Sequence, residues 1–168
     1  MAQTRIGENT VNTAGNLPVV GSPAPDFMLA GNDLREVSLK NFAGKNLVLN
    51  IFPSIDTSTC AASVREFNKR AASTPNTVVL CIAKDLPFAM RRFCGSEGID
   101  KDKVVTLSDF RNKGFSKAYG MEMTDGVMSG LFARAIVVIT PDGKVAHTEV
   151  VPVIGQEPDY EAALSAVK

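Results

Sequence analysis

Two apolar runs separated by an amphipathic stretch constrain the fold of this chain more than any other feature. Residues 46–52 (NLVLNIF) and Thr77–Ala83 (TVVLCIA) have the composition of strands that are buried on both faces. Between them, apolar residues recur at helical spacing on one face, from Cys60 through Val64 and Phe67. Because the two strands of such a strand, helix, strand unit lie parallel in one sheet, the sequence predicts an α/β fold.

Shorter patterns on either side of this unit predict the remaining strands and one short helix. The predicted elements are an N-terminal hairpin (residues 4–13), a second hairpin (27–39), a strand (104–107), a short helix (113–119) and an antiparallel hairpin (135–139 with 144–150). Together with the central unit they predict a mixed sheet that is flanked by helices.

Two further helices are predicted from residues that are typical of helix ends. Asp85 and Pro87 stand in the order expected at a helix start, and Gly95 follows Cys94 where a C-terminal cap would lie. Pro158 is expected to open a last helix whose first turn carries carboxylates. Because the helix that starts at Pro87 is short, we expect it to unwind more easily than its neighbours.

Length, charge and cysteine number narrow the classes of function. The chain has 168 residues, and its 18 basic side chains balance its 18 acidic ones, so neither nucleic acid nor an anionic membrane is an expected partner. The N-terminus has no apolar signal-peptide core and no apolar run is long enough to span a bilayer, so we expect a cytoplasmic protein. Three cysteines cannot all pair within one chain, which indicates a reducing or redox-cycling context.

The most informative segment links the first buried strand to the amphipathic helix. In the string PSIDTSTC, Cys60 falls in the first helical turn, where free backbone N–H groups and the helix dipole favour a thiolate. Pro53 limits the exit of the strand, and Thr57 stands close enough for its hydroxyl to hydrogen-bond the sulfur. The alternative is that Cys60 is a small buried apolar residue on a helix face, as most free cysteines are.

The spacing of Pro53, Thr57 and Cys60 resembles the PxxxTxxC active-site signature of the peroxiredoxins. Three longer strings, NIFPSIDTSTCAASVREFN, VVLCIAKDLPFAMRRFCG and GLFARAIVVI, are similar to the bacterial thiol peroxidases, the atypical two-cysteine members of that family. The resemblance covers nearly the whole chain. It implies a thioredoxin-like fold, with one domain over residues 1–168 and a hairpin extension over residues 1–16.

The resemblance also implies a role for each residue of the site. Cys60 would be the peroxidatic cysteine, and Cys94 the resolving cysteine that forms an intramolecular disulfide with it. Arg134 matches the active-site arginine of the family, while Thr57 and Pro53 complete the signature. The implied substrates are hydrogen peroxide and alkyl hydroperoxides, the implied reductant is thioredoxin, and the implied assembly is a homodimer without cofactor or metal.

Reasoning from the residues themselves leaves several alternatives open. Arg134 is not distinguished from the other arginines by sequence, and its alternative role is a surface or structural ion pair, whereas a guanidinium near Cys60 would stabilise a thiolate and donate to peroxide oxygens. Cys94 has the alternative role of packing at a helix end. Cys81 lies inside a predicted buried strand, so we predict a structural role for it.

Other motifs are weak or absent from the chain. There is no CxxC pair, and His147 is the only histidine, which argues against a disulfide reductase and against a zinc site. An apolar collar for an organic peroxide is predicted from the neighbours of the motif, Phe52, Ile55, Phe88 and Met90. The rival function is a thioredoxin-fold binding module or redox sensor, which would not consume peroxide catalytically.

Overall fold

A computed structural model describes residues 1–168. The strands are β1 (Gln3–Ile6), β2 (Asn9–Asn12), β3 (Met28–Ala30), β4 (Glu36–Ser38), β5 (Asn46–Ile51), β6 (Thr77–Ala83), β7 (Val104–Ser108), β8 (Ala135–Ile139) and β9 (Val145–Val150). The helices are α1 (Ser58–Ala71), α2 (Pro87–Glu97), α3 (Phe115–Tyr119) and α4 (Tyr160–Ser165), and a short 3-10 helix spans Leu39–Phe42. None of these helices combines the length and the apolar character needed to cross a bilayer.

Seven strands form one mixed sheet in the order β4-β3-β7-β6-β5-β8-β9. The three central strands β7, β6 and β5 run parallel, whereas β3, β4, β8 and β9 pair antiparallel with their neighbours. Every residue of β5 and β6 is buried, as their continuous apolar composition predicts. The expectation of an α/β fold with a central mixed sheet and flanking helices is therefore confirmed.

The sheet separates two apolar cores. On one face, Leu47 and Leu49 of β5 share a core with Phe115 of α3, whose ring is stacked on a neighbouring tyrosine. On the other face, which α1, α2 and α4 cover, Val48 of β5 shares a core with Cys60. Alternate residues of β5 therefore face two different cores, and Cys60 of α1 lies in the core that the three helices cover.

The N-terminal hairpin is a separate two-stranded sheet made of β1 and β2. Its β1 strand is attached to the chain that follows β9, because the Thr4 hydroxyl donates to the Val151 carbonyl at 2.9 Å and Arg5 pairs with Val153. The predicted N-terminal hairpin is thus confirmed, and it contacts the segment that leads into α4.

Three of the predicted helix ends are wrong. Helix α3 begins at Phe115 and not at residue 113. Helix α2 continues past Gly95 to Glu97 and ends at Gly98, whose φ of 65° is the left-handed conformation that glycine adopts without strain. Asp85 does not cap this helix, because Leu86 is the N-cap and no side chain caps it.

Helix α4 also begins later than predicted. Its first residue is Tyr160 rather than Pro158, and Asp159 is the N-cap, whose carboxylate accepts from the Ala162 N–H at 2.9 Å. A cap side chain that binds a free N–H of the first turn stabilises the start of a helix. Asp159 therefore acts as the cap, while Glu161 lies in the first turn, as predicted.

Candidate active site

The loop between β5 and α1 fixes Cys60 through the backbone. Thr57 is the N-cap of α1, and its hydroxyl accepts from the Cys60 N–H at 3.4 Å while donating to the Ser54 carbonyl at 3.1 Å. In this conformation the hydroxyl hydrogen is directed at Ser54 and not at the sulfur. Pro53 is buried at the start of the loop, so Thr57 and Pro53 shape the turn rather than contact the thiol directly.

Arg134 is the cation that lies against the sulfur. It precedes β8, is only 2% exposed, and its Nη2 donates to Cys60 Sγ at 3.4 Å. Its Nε donates to the Ile154 carbonyl at 3.0 Å, which orients the guanidinium. Its Nη1 is buried without a protein acceptor, so this donor is free for an oxygen atom beside the sulfur.

The surroundings of Cys60 are buried and apolar. The residue has 0% relative exposure, and its core includes three of the predicted collar residues, Phe52, Ile55 and Met90. The fourth, Phe88, is 54% exposed on the outer face of α2. In this apolar environment the hydrogen bond from Arg134 to the sulfur is electrostatically stronger than it would be in water.

Two polar residues that sequence reasoning missed tie the first turn of α1 to the sheet. The Ser63 hydroxyl donates to the Cys60 carbonyl at 2.7 Å, and Asn50 Nδ2 donates to the Ser63 hydroxyl at 3.1 Å. Both residues are fully buried. The available signal was the amide of Asn50 within the apolar run of β5, a strand that also begins with Asn46.

Asp85 is a third residue whose role the sequence did not reveal. Its Oδ1 accepts from the Ser54 hydroxyl at 2.7 Å, and its Oδ2 accepts from the Ile55 N–H at 2.8 Å. The carboxylate therefore binds the loop that precedes Cys60, although Asp85 itself lies between β6 and α2. Its position after a parallel strand was the only sequence signal, since such strand ends gather functional residues.

Cys94 lies on α2 and faces β7. Its sulfur is 3.6 Å from the Thr106 hydroxyl, which in turn donates to Asn32 Oδ1 at 2.9 Å. Partial burial raises the pKa of the Cys94 thiol and outweighs the opposing hydrogen bonds from Thr106 and Asn32. Cys94 is therefore held as a thiol, beside a surface pocket of about 260 Å³.

The fold keeps Cys60 and Cys94 apart, and all three cysteines are free. Asn50, Cys81 and Thr106 are register partners on β5, β6 and β7, with the Cys60 turn bound at the first of these strands and Cys94 at the last. Two strand spacings amount to about 10 Å. Because a disulfide requires Cα atoms within about 7 Å of one another, a bond between these cysteines needs a change of conformation.

Cys81 lies in the sheet between the two other cysteines. It is fully buried, and burial raises the pKa of its thiol to about 12, despite a hydrogen bond from Asn50 Nδ2 at 3.7 Å. A thiol with this pKa contains almost no thiolate near neutral pH, so Cys81 is an inert part of the core.

His147 lies on β9, away from the cysteines in sequence. No group of three or more histidine, cysteine, aspartate or glutamate side chains is close enough together to hold a metal ion.

Residues 19–164 match the Redoxin family. A curated relative, the thiol peroxidase of Mycobacterium tuberculosis, is 56% identical over 167 residues, which are 99% of this chain and 99% of the relative. The crystal structure of a peroxiredoxin-like protein from Aquifex aeolicus has a TM-score of 0.90 at 32% identity, and covers 98% of this chain and 95% of its own. A thiol peroxidase from Chromobacterium violaceum shares the fold, with a TM-score of 0.87 at 23% identity over 95% of this chain and 91% of its own.

These similarities span the chain from the N-terminal hairpin to α4, and they confirm the resemblance on which the expected family rested. The match is with proteins that use a cysteine thiol to reduce peroxides, which is the chemistry predicted from the sequence. This chain therefore belongs to the Redoxin family, on the thiol peroxidase branch of the peroxiredoxins.

Proposed function

We propose that this protein is a thiol-dependent peroxidase in which Cys60 attacks hydroperoxides. The observation that carries the proposal is the hydrogen bond from Arg134 Nη2 to Cys60 Sγ at 3.4 Å, at the buried N-terminal turn of a helix. A cation, a helix N-terminus and hydrogen-bond donors all favour the thiolate, which is the reactive form.

In the first step the Cys60 thiolate attacks the terminal oxygen of the peroxide. A sulfur–oxygen bond forms as the O–O bond breaks, and Cys60 becomes a sulfenic acid while the leaving oxygen takes up a proton as water or an alcohol. Arg134 Nη1 has no protein acceptor, so it is available to donate to the peroxide oxygen on which charge develops. The apolar side chains of Phe52 and Ile55 accommodate the organic group of an alkyl hydroperoxide.

In the second step Cys94 resolves the sulfenic acid. Its thiol condenses with Cys60, releasing water and forming an intramolecular disulfide that protects Cys60 from further oxidation. The approach requires α2 to unwind or shift and the Cys60 turn to open, because the strands to which the two cysteines are bound lie two places apart in the sheet. A dithiol reductant then returns both cysteines to thiols, and we propose thioredoxin for this role.

The remaining parts of the proposal concern the protein's organisation and its setting. We propose one domain over residues 1–168, with the hairpin of residues 1–16 as its extension, which the contact between Thr4 and Val151 supports. A cycle that depends on thioredoxin fits the cytoplasm, where thiols are kept reduced. The exposed apolar side chains of Leu86, Phe88 and Phe110 are compatible with a homodimer.

The test is peroxide consumption by wild type and three variants, with thioredoxin, thioredoxin reductase and NADPH supplying electrons. Cys60→Ser should lose all activity, because it removes the nucleophile. Cys94→Ser should keep the first oxidation and lose turnover with thioredoxin. Cys81→Ser is the matched control, since it changes a buried cysteine that the cycle does not use, and it should stay near wild type.

A redox sensor or binding module is the alternative function, and the same experiment distinguishes it. Such a protein would form a disulfide once but would not consume peroxide through many cycles. Full activity in Cys60→Ser would overturn the proposed function and leave the binding module as the better interpretation.

A further inference from the structure

Asp85 connects the two elements that the catalytic cycle must separate. It follows β6 and comes two residues before Pro87, the first residue of α2. Its backbone is anchored to the sheet, because its carbonyl accepts from the Ser108 hydroxyl at the end of β7. The side chain is therefore presented from a fixed position, and α2 departs from that position directly.

The Asp85 carboxylate uses both of its oxygens on the loop that precedes Cys60. The bonds from the Ser54 hydroxyl and the Ile55 N–H are 2.7 and 2.8 Å long, and such charge-assisted bonds are about twice as strong as neutral ones. Ser54 Oγ also accepts from the Asp56 N–H at 3.2 Å. The carboxylate thus fixes the turn from both its side-chain and its backbone donors.

The same bonds continue to the reactive cysteine. The Ser54 carbonyl accepts from both the hydroxyl and the N–H of Thr57 at 3.1 Å, and Thr57 Oγ1 accepts from the Cys60 N–H at 3.4 Å. A path of hydrogen bonds therefore runs from Asp85 through Ser54 and Thr57 to the first turn of α1. Asp85 itself does not touch the sulfur, so any effect it has on the reaction is exerted through the loop.

We propose that Asp85 is a positioning residue that latches the β5–α1 loop in the conformation that attacks peroxide and thereby slows its rearrangement to the disulfide. The proposal rests on the proposed function of Cys60 and Cys94. Every bond that Asp85 makes to the loop stabilises the state in which Cys60 lies on the helix. Because the disulfide requires that turn to open, the same bonds oppose resolution.

The latch predicts opposite changes in the two chemical steps. Asp85→Ala should lower the rate constant for oxidation of Cys60 by about tenfold or more, since misplacement of a reacting group by a fraction of an ångström is costly. The same variant should form the disulfide several-fold faster and need more peroxide to reach the sulfinic acid. Rapid quenching followed by intact mass spectrometry measures all three quantities, because each oxidation product has its own mass.

Two variants separate the latch from a simple change of charge. Asp85→Asn should give rates between those of wild type and Asp85→Ala, since an amide can accept from the Ile55 N–H and donate to the Ser54 hydroxyl but lacks the charge that strengthens both bonds. Asp56→Ala removes a carboxylate from the same loop. This carboxylate is exposed, and its ion-pair partner is the exposed Arg92, at 3.8 Å. We expect Asp56→Ala to alter either rate by less than about twofold.

Three outcomes would overturn the proposal. They are equal or parallel changes of the two rates in Asp85→Ala, no recovery in Asp85→Asn, and an effect of the same size in Asp56→Ala. If Asp85→Ala does not fold, Ser54→Ala takes its place and must show the same opposite changes with smaller size. An inactive Cys60→Ser combined with parallel changes would reject the latch alone, whereas an active Cys60→Ser would reject the peroxidase cycle itself.

Discussion

The first turn of α1 and the helix α2 each carry one cysteine, but they are held in very different ways. The Cys60 turn is bound through its N–H by Thr57, through its carbonyl by Ser63 and through its sulfur by Arg134. Helix α2 has no side-chain cap, and only Pro87 and Met90 among its residues are buried. The Cys60 turn is therefore held in place by several bonds, whereas α2 has fewer contacts and moves more easily.

This difference fits the proposed cycle, whose two steps make opposite demands on the fold. Attack on a peroxide needs a sulfur in a fixed position, which the hydrogen bonds of the Cys60 turn provide. Disulfide formation needs a large displacement, and short, exposed helices with few buried contacts open at low cost. The ion pair between Arg65 of α1 and Glu97 of α2 is bidentate, but both side chains are partly exposed, so solvent screening weakens this link between the two helices.

The largest predicted effect comes from removing Arg134, the cation that contacts the sulfur of Cys60. Arg134→Ala should lower the second-order rate constant for hydrogen peroxide by about a hundredfold, because it removes the donor to the sulfur and the free donor beside it. The rate of peroxide loss under single-turnover conditions measures this constant. Arg70→Ala is a suitable control, since Arg70 lies on α1, the helix that carries Cys60, but pairs with Glu66.

A retained rate in Arg134→Ala would contradict the account of the rigid region. If that variant is unstable without the bond to Ile154, Arg134→Lys keeps the charge but loses the paired geometry. It should still react at least about tenfold more slowly than wild type.

Gly95 and Gly98, near the end of α2, allow a matched pair of substitutions with opposite expected effects. In Gly95→Ala the added methyl meets no atom within 4 Å, so the change should stabilise α2 by about 1 kcal/mol. In Gly98→Ala the residue has φ 65°, and alanine should destabilise the helix end by about 1 kcal/mol. Disulfide formation should therefore be about fivefold slower in Gly95→Ala and about fivefold faster in Gly98→Ala.

The effect of each glycine substitution is measured as the peroxide dose at which Cys60 is converted to sulfinic acid. The dose should fall for Gly95→Ala and rise for Gly98→Ala, because slower resolution leaves the sulfenic acid exposed for longer. Identical doses for the two variants would mean that the opening of α2 does not limit resolution.

A smaller predicted effect concerns Cys81, which lies in the sheet between the other two cysteines. The pKa of the Cys81 thiol is raised from 9.0 to about 12 in the folded protein, so the unfolded chain releases this proton first as the pH rises. The stability that Cys81 contributes is complete below pH 9 and is lost as the pH rises towards 12. By about pH 10 the loss should be about 1 kcal/mol. Urea unfolding of wild type and Cys81→Ala at several pH values measures it, because the free energy of unfolding should fall more steeply with pH in wild type. Parallel stability curves would show that Cys81 is not held as a buried thiol.

The sequence predicted the rigid framework better than the details of the site. Strands β5 and β6 were evident because continuous apolar runs have few alternatives to a buried strand. The end of α2 was misplaced by three residues, since both Gly95 and Gly98 can end a helix and the backbone conformation decides between them.

The contacts of the site depend on residues that are distant in sequence. Asp85 meets Ser54 across 31 positions, and Arg134 meets Cys60 across 74, so local patterns carry no signal of either contact. Cys60 and Thr57 were accessible because their roles depend on a single helix start. Arg134 could be singled out only through the resemblance to known peroxiredoxins.

The central claim, that α2 opens on oxidation while strands β5 and β6 stay in place, is tested most directly by amide hydrogen exchange. Reduced protein and protein oxidised by one equivalent of hydrogen peroxide would be compared, with peptides from Pro87 to Gly98 and from β5 and β6. The account predicts faster exchange of the α2 amides in the oxidised protein and unchanged protection of both strands. Equal protection of α2 in the two states would contradict it.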